Sequence, residues 1–244
     1  MRQRQKDGTI DPGHVIFILL ADIQEQNGSA ENRIWCLGDI VGYGATPDAC
    51  TSLVANLAEV SLAGNHDLVV CGGLDIRHFT TAAEEAARWT MKNISATTRD
   101  YLKSLEPLEG GQPTGLYHAS PRDPVWEYVL TWEAAEAAIH DSGFAITLVG
   151  HSHVPLAISD DTGLPGGHAP GGKEIEFDGA QWLLNPGSVG QPRDGDPAAA
   201  WLLLDLDERR ASFRRVAYDV ERTQTEIRDQ GLPDVLAERL AHGV

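Results

Sequence analysis

Cysteine is scarce in this 244-residue chain: there are three, Cys36, Cys50 and Cys71, and none forms a Cys-x-x-Cys pair. An odd number without that spacing supplies neither a disulfide framework nor a zinc knuckle, and predicts buried thiols in a reduced, cytoplasmic protein. Basic residues are scarce too. Nineteen Lys and Arg stand against 36 Asp and Glu, a net charge of −17, and the nearest approaches to a basic run are Arg209-Arg210 and Arg214-Arg215. Nucleic-acid binding rests on clustered cations that neutralise phosphates, so nucleic acid is disfavoured as partner or substrate, and an anionic membrane surface for the same reason. Long apolar runs are also missing: residues 15–21 fall well short of the roughly 20 that a membrane helix needs. With Asp7 and Asp11 before that run and Asp22-Ile23-Gln24 after it, a signal peptide is not expected either. The rest, 42% hydrophobic and 23% charged, is the composition of a globular chain long enough to bury a sizeable core.

No repeat or low-complexity tract interrupts the chain, and residues 1–244 read as one domain. Residues 33–38 predict a buried strand that delivers Asp39 at its C-terminal end, and Thr46-Pro47 predicts a helix start. A brief strand at 61–63 leads into Gly64-Asn65-His66-Asp67, and a helical pattern runs from 81 to about 105. Residues 116–118 end another strand, 132–140 read as helix, and 145–150 read as a buried strand ending at His151-Ser152-His153. Gly and Pro mark a loop over 161–173; strands follow at 182–184, 201–205 and 212–217, then helix from 220. Strand–helix alternation followed by closely spaced strands predicts an α/β fold with mixed sheets.

Asp39, Asn65, His118, His151 and His153 each carry an oxygen or imidazole donor at the end of a predicted strand, where open α/β sheets place ligands. Imidazole mixed with carboxylate suits Mn, Fe, Zn or Ni over Ca or Mg. A carboxylate can bridge two ions, His151 and His153 are spaced to serve different ions, and an ion pair clamps a phosphoryl group in line. Each match alone is weak. His14, His78, His140, His168 and His242 read as surface or core residues, Gly-Asn-His-Asp alone is compatible with a left-handed turn, and Tyr43 and Trp126 read as packing residues. The signal is their joint occurrence in order.

Together with Trp35 to Gly44, His118-Ala119-Ser120-Pro121-Arg122-Asp123-Pro124, Gly150 to Pro155 and Asn185-Pro186-Gly187-Ser188-Val189-Gly190-Gln191-Pro192-Arg193, these motifs make the chain resemble the calcineurin-like metallophosphoesterases over residues 32–218. The resemblance is to their small bacterial and archaeal phosphodiesterase branch in particular. It implies a four-layer α/β/β/α sandwich with two mixed sheets and one or two divalent transition-metal ions. Asp39 would bridge, Asn65, His118 and His151 would bind the second ion, and His153 the first. His66 would be the general acid and Asp67 would orient its ring. The implied activity is hydrolysis of small phosphoesters, expected to be diesters, by a metal-bound hydroxide. Arg122 is a candidate phosphate contact, competing with a salt bridge to Asp123 or a surface role, and residues 185–190 are expected to shape backbone near the site.

The family's opening motif, an apolar strand followed by Asp-x-His, is not present as such, so the first strand is atypical or missing and residues 1–18 form an atypical segment. In one placement residues 15–21 are that strand and Asp22-Ile23-Gln24 is a degenerate Asp-x-His. Only the nine residues 24–32 then remain for a parallel crossover, where about a dozen or more are needed. In the other, which fits the local pattern better, residues 19–26 end the family's first helix, and Asp11 and His14 fall near the missing motif. The competing reading of function follows: a non-catalytic or weakly active homologue whose incomplete first metal site leaves a binding module.

Overall fold

The computed structural model describes residues 19–26, 29–111, 114–161, 166–177 and 179–244. In chain order the elements are β1 (Leu19–Gln26), β2 (Ser29–Cys36), α1 (Pro47–Leu57), β3 (Val60–Ser61), α2 (Asn65–Val70), α3 (Thr81–Asn93), α4 (Ala96–Lys103), β4 (Leu108–Gly111), β5 (Thr114–Tyr117), α5 (Trp132–Ser142) and β6 (Ile146–Val149). There follow β7 (Leu156–Ser159), β8 (Gly167–His168), β9 (Glu174–Glu176), β10 (Trp182–Asn185), β11 (Ala199–Asp205), β12 (Arg210–Val216), α6 (Val220–Asp229) and α7 (Asp234–Glu238). The strands make two six-stranded mixed sheets, ordered β3-β2-β1-β11-β12-β9 and β4-β5-β6-β10-β7-β8. The α/β class with two mixed sheets is as the sequence predicts.

Period-two burial explains how the sheets pack. Trp182 and Leu184 join Trp35, Leu148, Leu202, Leu204 and Phe213 in one apolar cluster drawn from both sheets, while the intervening Leu183 meets Ala135, Ala138 and Ile139 of α5. Cys36, next to Trp35, points the opposite way, into a cluster with Val54 of α1, Val69 of α2 and Leu102 of α4. Pro47 opens α1 as expected, although Thr46 makes no side-chain cap bond. The helix predicted over 81–105 is two helices. Ser95 adopts extended backbone between them, its Oγ accepts the Thr98 N–H to cap α4, and its own N–H donates to the Asp48 carboxylate. Thr131 and the left-handed Gly143 (φ 67°) bracket α5.

The N-terminal expectation needs correction. Residues 19–26 are a strand, not a helix end: β1 pairs antiparallel with β2 from Leu19↔Cys36 to Gln26↔Ser29, and parallel with β11. The physical reason lies in the connection. A parallel crossover does not fit the available length, whereas an antiparallel pair needs only two connecting residues, and the sequence there is Asn27-Gly28, the strongest short hairpin signal. The same pairing removes Asp22-Ile23-Gln24 as a degenerate ligand motif. β1 runs against β2, so its C-terminal end lies at the edge away from Asp39, and Asp22 sits in mid-strand opposite Arg33. Asp11, His14 and the rest of residues 1–18 lie outside the described residues.

Strand direction decides where the remaining polar clusters meet. β2 and β3 are parallel, as are β5, β6 and β10, so within each sheet the C-terminal ends share one edge. Asp39 and Asn65 follow the first pair; His118, His151, His153 and the segment from Asn185 follow the second set.

Candidate metal centre

Asp39, His151 and His153 all have left-handed backbone, with φ of 56°, 57° and 61°. Among the described residues only one other non-glycine does so, Arg209 in the turn between β11 and β12. Such conformations cost about 1–3 kcal/mol each and persist where surrounding structure enforces them, characteristically at functional sites. Close packing does the enforcing here. Gly38, itself at φ 94°, lies against the Gly64 backbone and the His118 ring, and a Cβ on Gly64 would overlap both Oδ1 and the backbone nitrogen of Asp39. The glycines therefore let the Asp39 and Asn65 loops touch.

Hydrogen bonds fix which nitrogen each imidazole presents. His118 donates from Nδ1 to the Leu37 carbonyl (2.7 Å), because a carbonyl only accepts; its bare Nε2 then lies 3.2 Å from Asn65 Oδ1 and 3.6 Å from Asp39 Oδ1. His153 donates from Nδ1 to the Gln191 carbonyl (2.9 Å), which leaves its Nε2 3.7 Å from Asp39 Oδ2. Both ring nitrogens of His151 are buried and neither makes a well-formed hydrogen bond among the described residues, the Trp126 backbone being the nearest polar group to act on the ring. One ligand atom from each of Asp39, His118 and His151 lies within 4.8 Å of the others, and all three residues are buried. Burial lowers the imidazole pKa values, to about 4 for His118 and about 3 for His151, with His151 pushed further by His118 and Arg193. The rings are thus neutral, the state a metal needs. Burial raises Asp39 to about 7, against the pull of the His66 N–H and Arg193. A buried carboxylate short of positive charge, ringed by neutral nitrogens with unused lone pairs, fits a divalent cation.

The predicted donors accordingly lie together: Asp39, His118 and His151 form one cluster, Asn65 adjoins His118, and His153 adjoins the other carboxylate oxygen of Asp39. His66 stands beside them. Its N–H donates to Asp39 Oδ1 (3.1 Å), and its ring lies between those of Tyr43 and Phe79, each 4.4 Å away. The role expected for Asp67 is corrected. Its carboxylate accepts the backbone N–H groups of Ile40 (3.2 Å), Val41 (3.0 Å) and Gly64 (2.8 Å), pinning the Asp39 loop to the start of α2, and does not orient the His66 ring. As the third residue of that helix it faces the unpaired N–H groups at the helix start. Asp67→Asn keeps one accepting oxygen, so it should lower stability by on the order of 2 kcal/mol for each bond lost, read from urea denaturation with chelator present.

Residues 185–190 shape backbone as expected. Asn185 donates to the Gly150 carbonyl and Ser152 Oγ, and Ser188 Oγ accepts the Gln191 N–H. The end of this segment supplies a residue to which the sequence assigned no role. Arg193 lines a cavity of about 130 Å³ with Asp39, Asn65, His66, His151 and His153. Its guanidinium is held by the neutral Gln191 Oε1 (2.9 Å from Nη2) and its N–H by the His153 carbonyl. Arg122, the sequence's candidate for phosphate, is exposed and ion-paired with Glu127 instead. Tyr43 and Trp126, read as packing residues, also line the cavity.

A buried carboxylate, amide and imidazole cluster at the strand ends of two mixed sheets is a donor set of the kind that holds a divalent transition metal. Residues 18–209 match the calcineurin-like phosphoesterase superfamily domain, and the chain belongs to that family. It is 35% identical over 216 residues to an uncharacterised protein of Methanocaldococcus jannaschii, with 86% of each chain covered. It resembles the crystal structure of a metallophosphoesterase from Sphaerobacter thermophilus with TM-score 0.81 and 35% identity, covering 94% of this chain and 100% of that one. A hypothetical protein from Pyrococcus horikoshii shares the fold at TM-score 0.72 and 17% identity, covering 93% and 98%. The family's reaction class is metal-dependent phosphoester hydrolysis. No helix among the described residues is long and apolar enough to cross a membrane.

Proposed function

We propose that the protein is a cytoplasmic phosphodiesterase acting on small phosphoesters, with manganese as the first metal to test. The observation that carries this reading is the Asp39 carboxylate, 1% exposed and faced by the bare Nε2 atoms of His118 and His153. Asp39, Asn65, His118 and His151 would hold one divalent ion, and Asp39 with His153 would face a second. When bound, such an ion supplies the Lewis acidity that activates water and offsets phosphoryl charge. The chain's own residues do the rest. Arg193 would receive non-bridging phosphoryl oxygens with its fork of N–H donors, and His66 would give a proton to the leaving oxygen. The net charge of −17 disfavours long polyanions over small esters.

Burial first, then Arg193 and the neighbouring imidazoles, hold His66 well below its usual pKa. Burial thus favours its neutral form in the free protein, and a negative ester beside it would favour the protonated form that a proton donor needs. The pair Asp39 and His153 alone is a poor metal site, which favours a second reading, a one-ion and weakly active enzyme. Metal content per chain together with hydrolysis of a chromogenic phosphodiester under added manganese tests both. Metal at background with no turnover would sink the enzyme reading, and one ion with slow turnover would favour the second. Arg193→Met should raise KM and lower kcat/KM by about tenfold or more, the scale of one lost charge-assisted bond, while Arg122→Met leaves both within twofold. Equal effects of the two substitutions would remove Arg193 from phosphate binding.

A further inference from the structure

The cavity wall beyond the metal donors has an uneven composition. Aromatic residues are 7% of the sequence, yet Tyr43, Phe79, Trp126 and Tyr128 all face this cavity, with His78 beside them. Among the described residues its one aliphatic lining side chain is Ala83. The rings form a connected surface. Phe79 lies over His66 at 4.4 Å with planes 32° apart, and Trp126 stands edge-on to Phe79 at 6.0 Å and 5.4 Å from His78. Tyr128 lies over His151 at 4.1 Å and is 49% exposed, an open position for so large a ring. The wall thus begins at the proton donor and at a metal donor and runs outward to solvent.

An aliphatic alcohol would be served as well by Leu or Val. Beyond buried area, ring faces gain most from another planar π-system or from a cation. A cation is the poorer occupant, because Arg193 sits on the same wall and the Arg239 guanidinium already lies 4.5 Å over the Tyr43 ring. We infer that the ester this site takes carries a planar aromatic ring on its leaving alcohol, seated on the wall of Phe79, Trp126 and Tyr128. The inference rests on the phosphoesterase reading above and names the substrate class for it.

The test compares methyl phosphodiesters of benzyl alcohol, cyclohexylmethanol and choline. The first two leaving alcohols are of similar size and basicity, so that ring planarity is the main variable. The expected kcat/KM for the benzyl ester exceeds that for the cyclohexylmethyl ester by about tenfold or more, the scale of one stacked ring. Trp126→Leu and Phe79→Leu should each pull that ratio towards one, and the second substitution serves if the first fails to fold. A ratio near one in the unmutated protein, or a ratio untouched by both variants, overturns the inference. Preference for the choline ester overturns it in favour of a cation cage. Calorimetric binding of benzylphosphonate and cyclohexylmethylphosphonate to the metal-loaded protein separates this from the reaction itself. Ring preference in binding without turnover of any ester keeps the inference and sinks the hydrolytic reading; equal binding sinks the inference even where esters are cleaved.

Discussion

His66→Asn is expected to lower kcat on a dialkyl phosphodiester by about 10²- to 10⁴-fold, the range attributed to a positioned general acid. The same substitution should cost far less with a p-nitrophenyl leaving group, which departs without a proton. That contrast distinguishes loss of a proton donor from general damage to the site. The pH profile supplies a second signature. A reaction needing protonated His66 declines as pH rises through its pKa, and the free protein holds that pKa well below 6.5 by burial, Arg193 and the neighbouring imidazoles. kcat/KM, which reports the free protein, should therefore already be falling at neutral pH. In kcat the fall should lie at higher pH, because the bound ester brings negative charge next to the ring. Both descending limbs should vanish in His66→Asn. An unchanged profile, or equal losses on both leaving groups, would remove His66 from the proton-donor role.

Asp39→Asn and His151→Asn should each strip the protein of metal while leaving it folded. Asparagine tolerates the left-handed backbone that both positions impose, so neither exchange adds the strain that a β-branched residue would. Substituting outer partners of metal ligands typically costs 10- to 100-fold in metal affinity, and loss of a ligand itself should cost more. Affinity measured by competition with a chelator should fall by at least about 100-fold in both variants. His140→Asn, exposed on α5 and bonded to Asp141, should leave it unchanged. Wild-type affinity in Asp39→Asn would contradict the assignment of the centre.

The sequence exposed most of this centre because its residues are confined to strand ends. Buried runs such as 145–150 predict strands, parallel strands align their C-terminal ends, and polar residues immediately after them converge. What escaped it depended on contacts between distant segments. Asp67 follows His66 in sequence and was read as its partner, but the unpaired N–H groups of Ile40, Val41 and Gly64 claim its carboxylate. Arg193 had a signal, since it closes the motif that begins at Asn185, but nothing local says that the Gln191 amide turns it into the cavity while the Gln191 carbonyl holds His153. Tyr43, Phe79 and the pair Trp126 and Tyr128 come from three loops with no shared periodicity. β1 was misread for a different reason: its eight residues mix apolar and polar types without clear period, so its own pattern is uninformative, and the sequence signal for its pairing with β2 was the Asn27-Gly28 dipeptide after it.

Anomalous diffraction from crystals of the protein equilibrated with manganese tests the central claim most directly. The expected result is a peak at coordination distance from Asp39, Asn65, His118 and His151 together, with any second peak adjoining Asp39 and His153. No peak at Asp39, or manganese bound only elsewhere on this acidic surface, would contradict it.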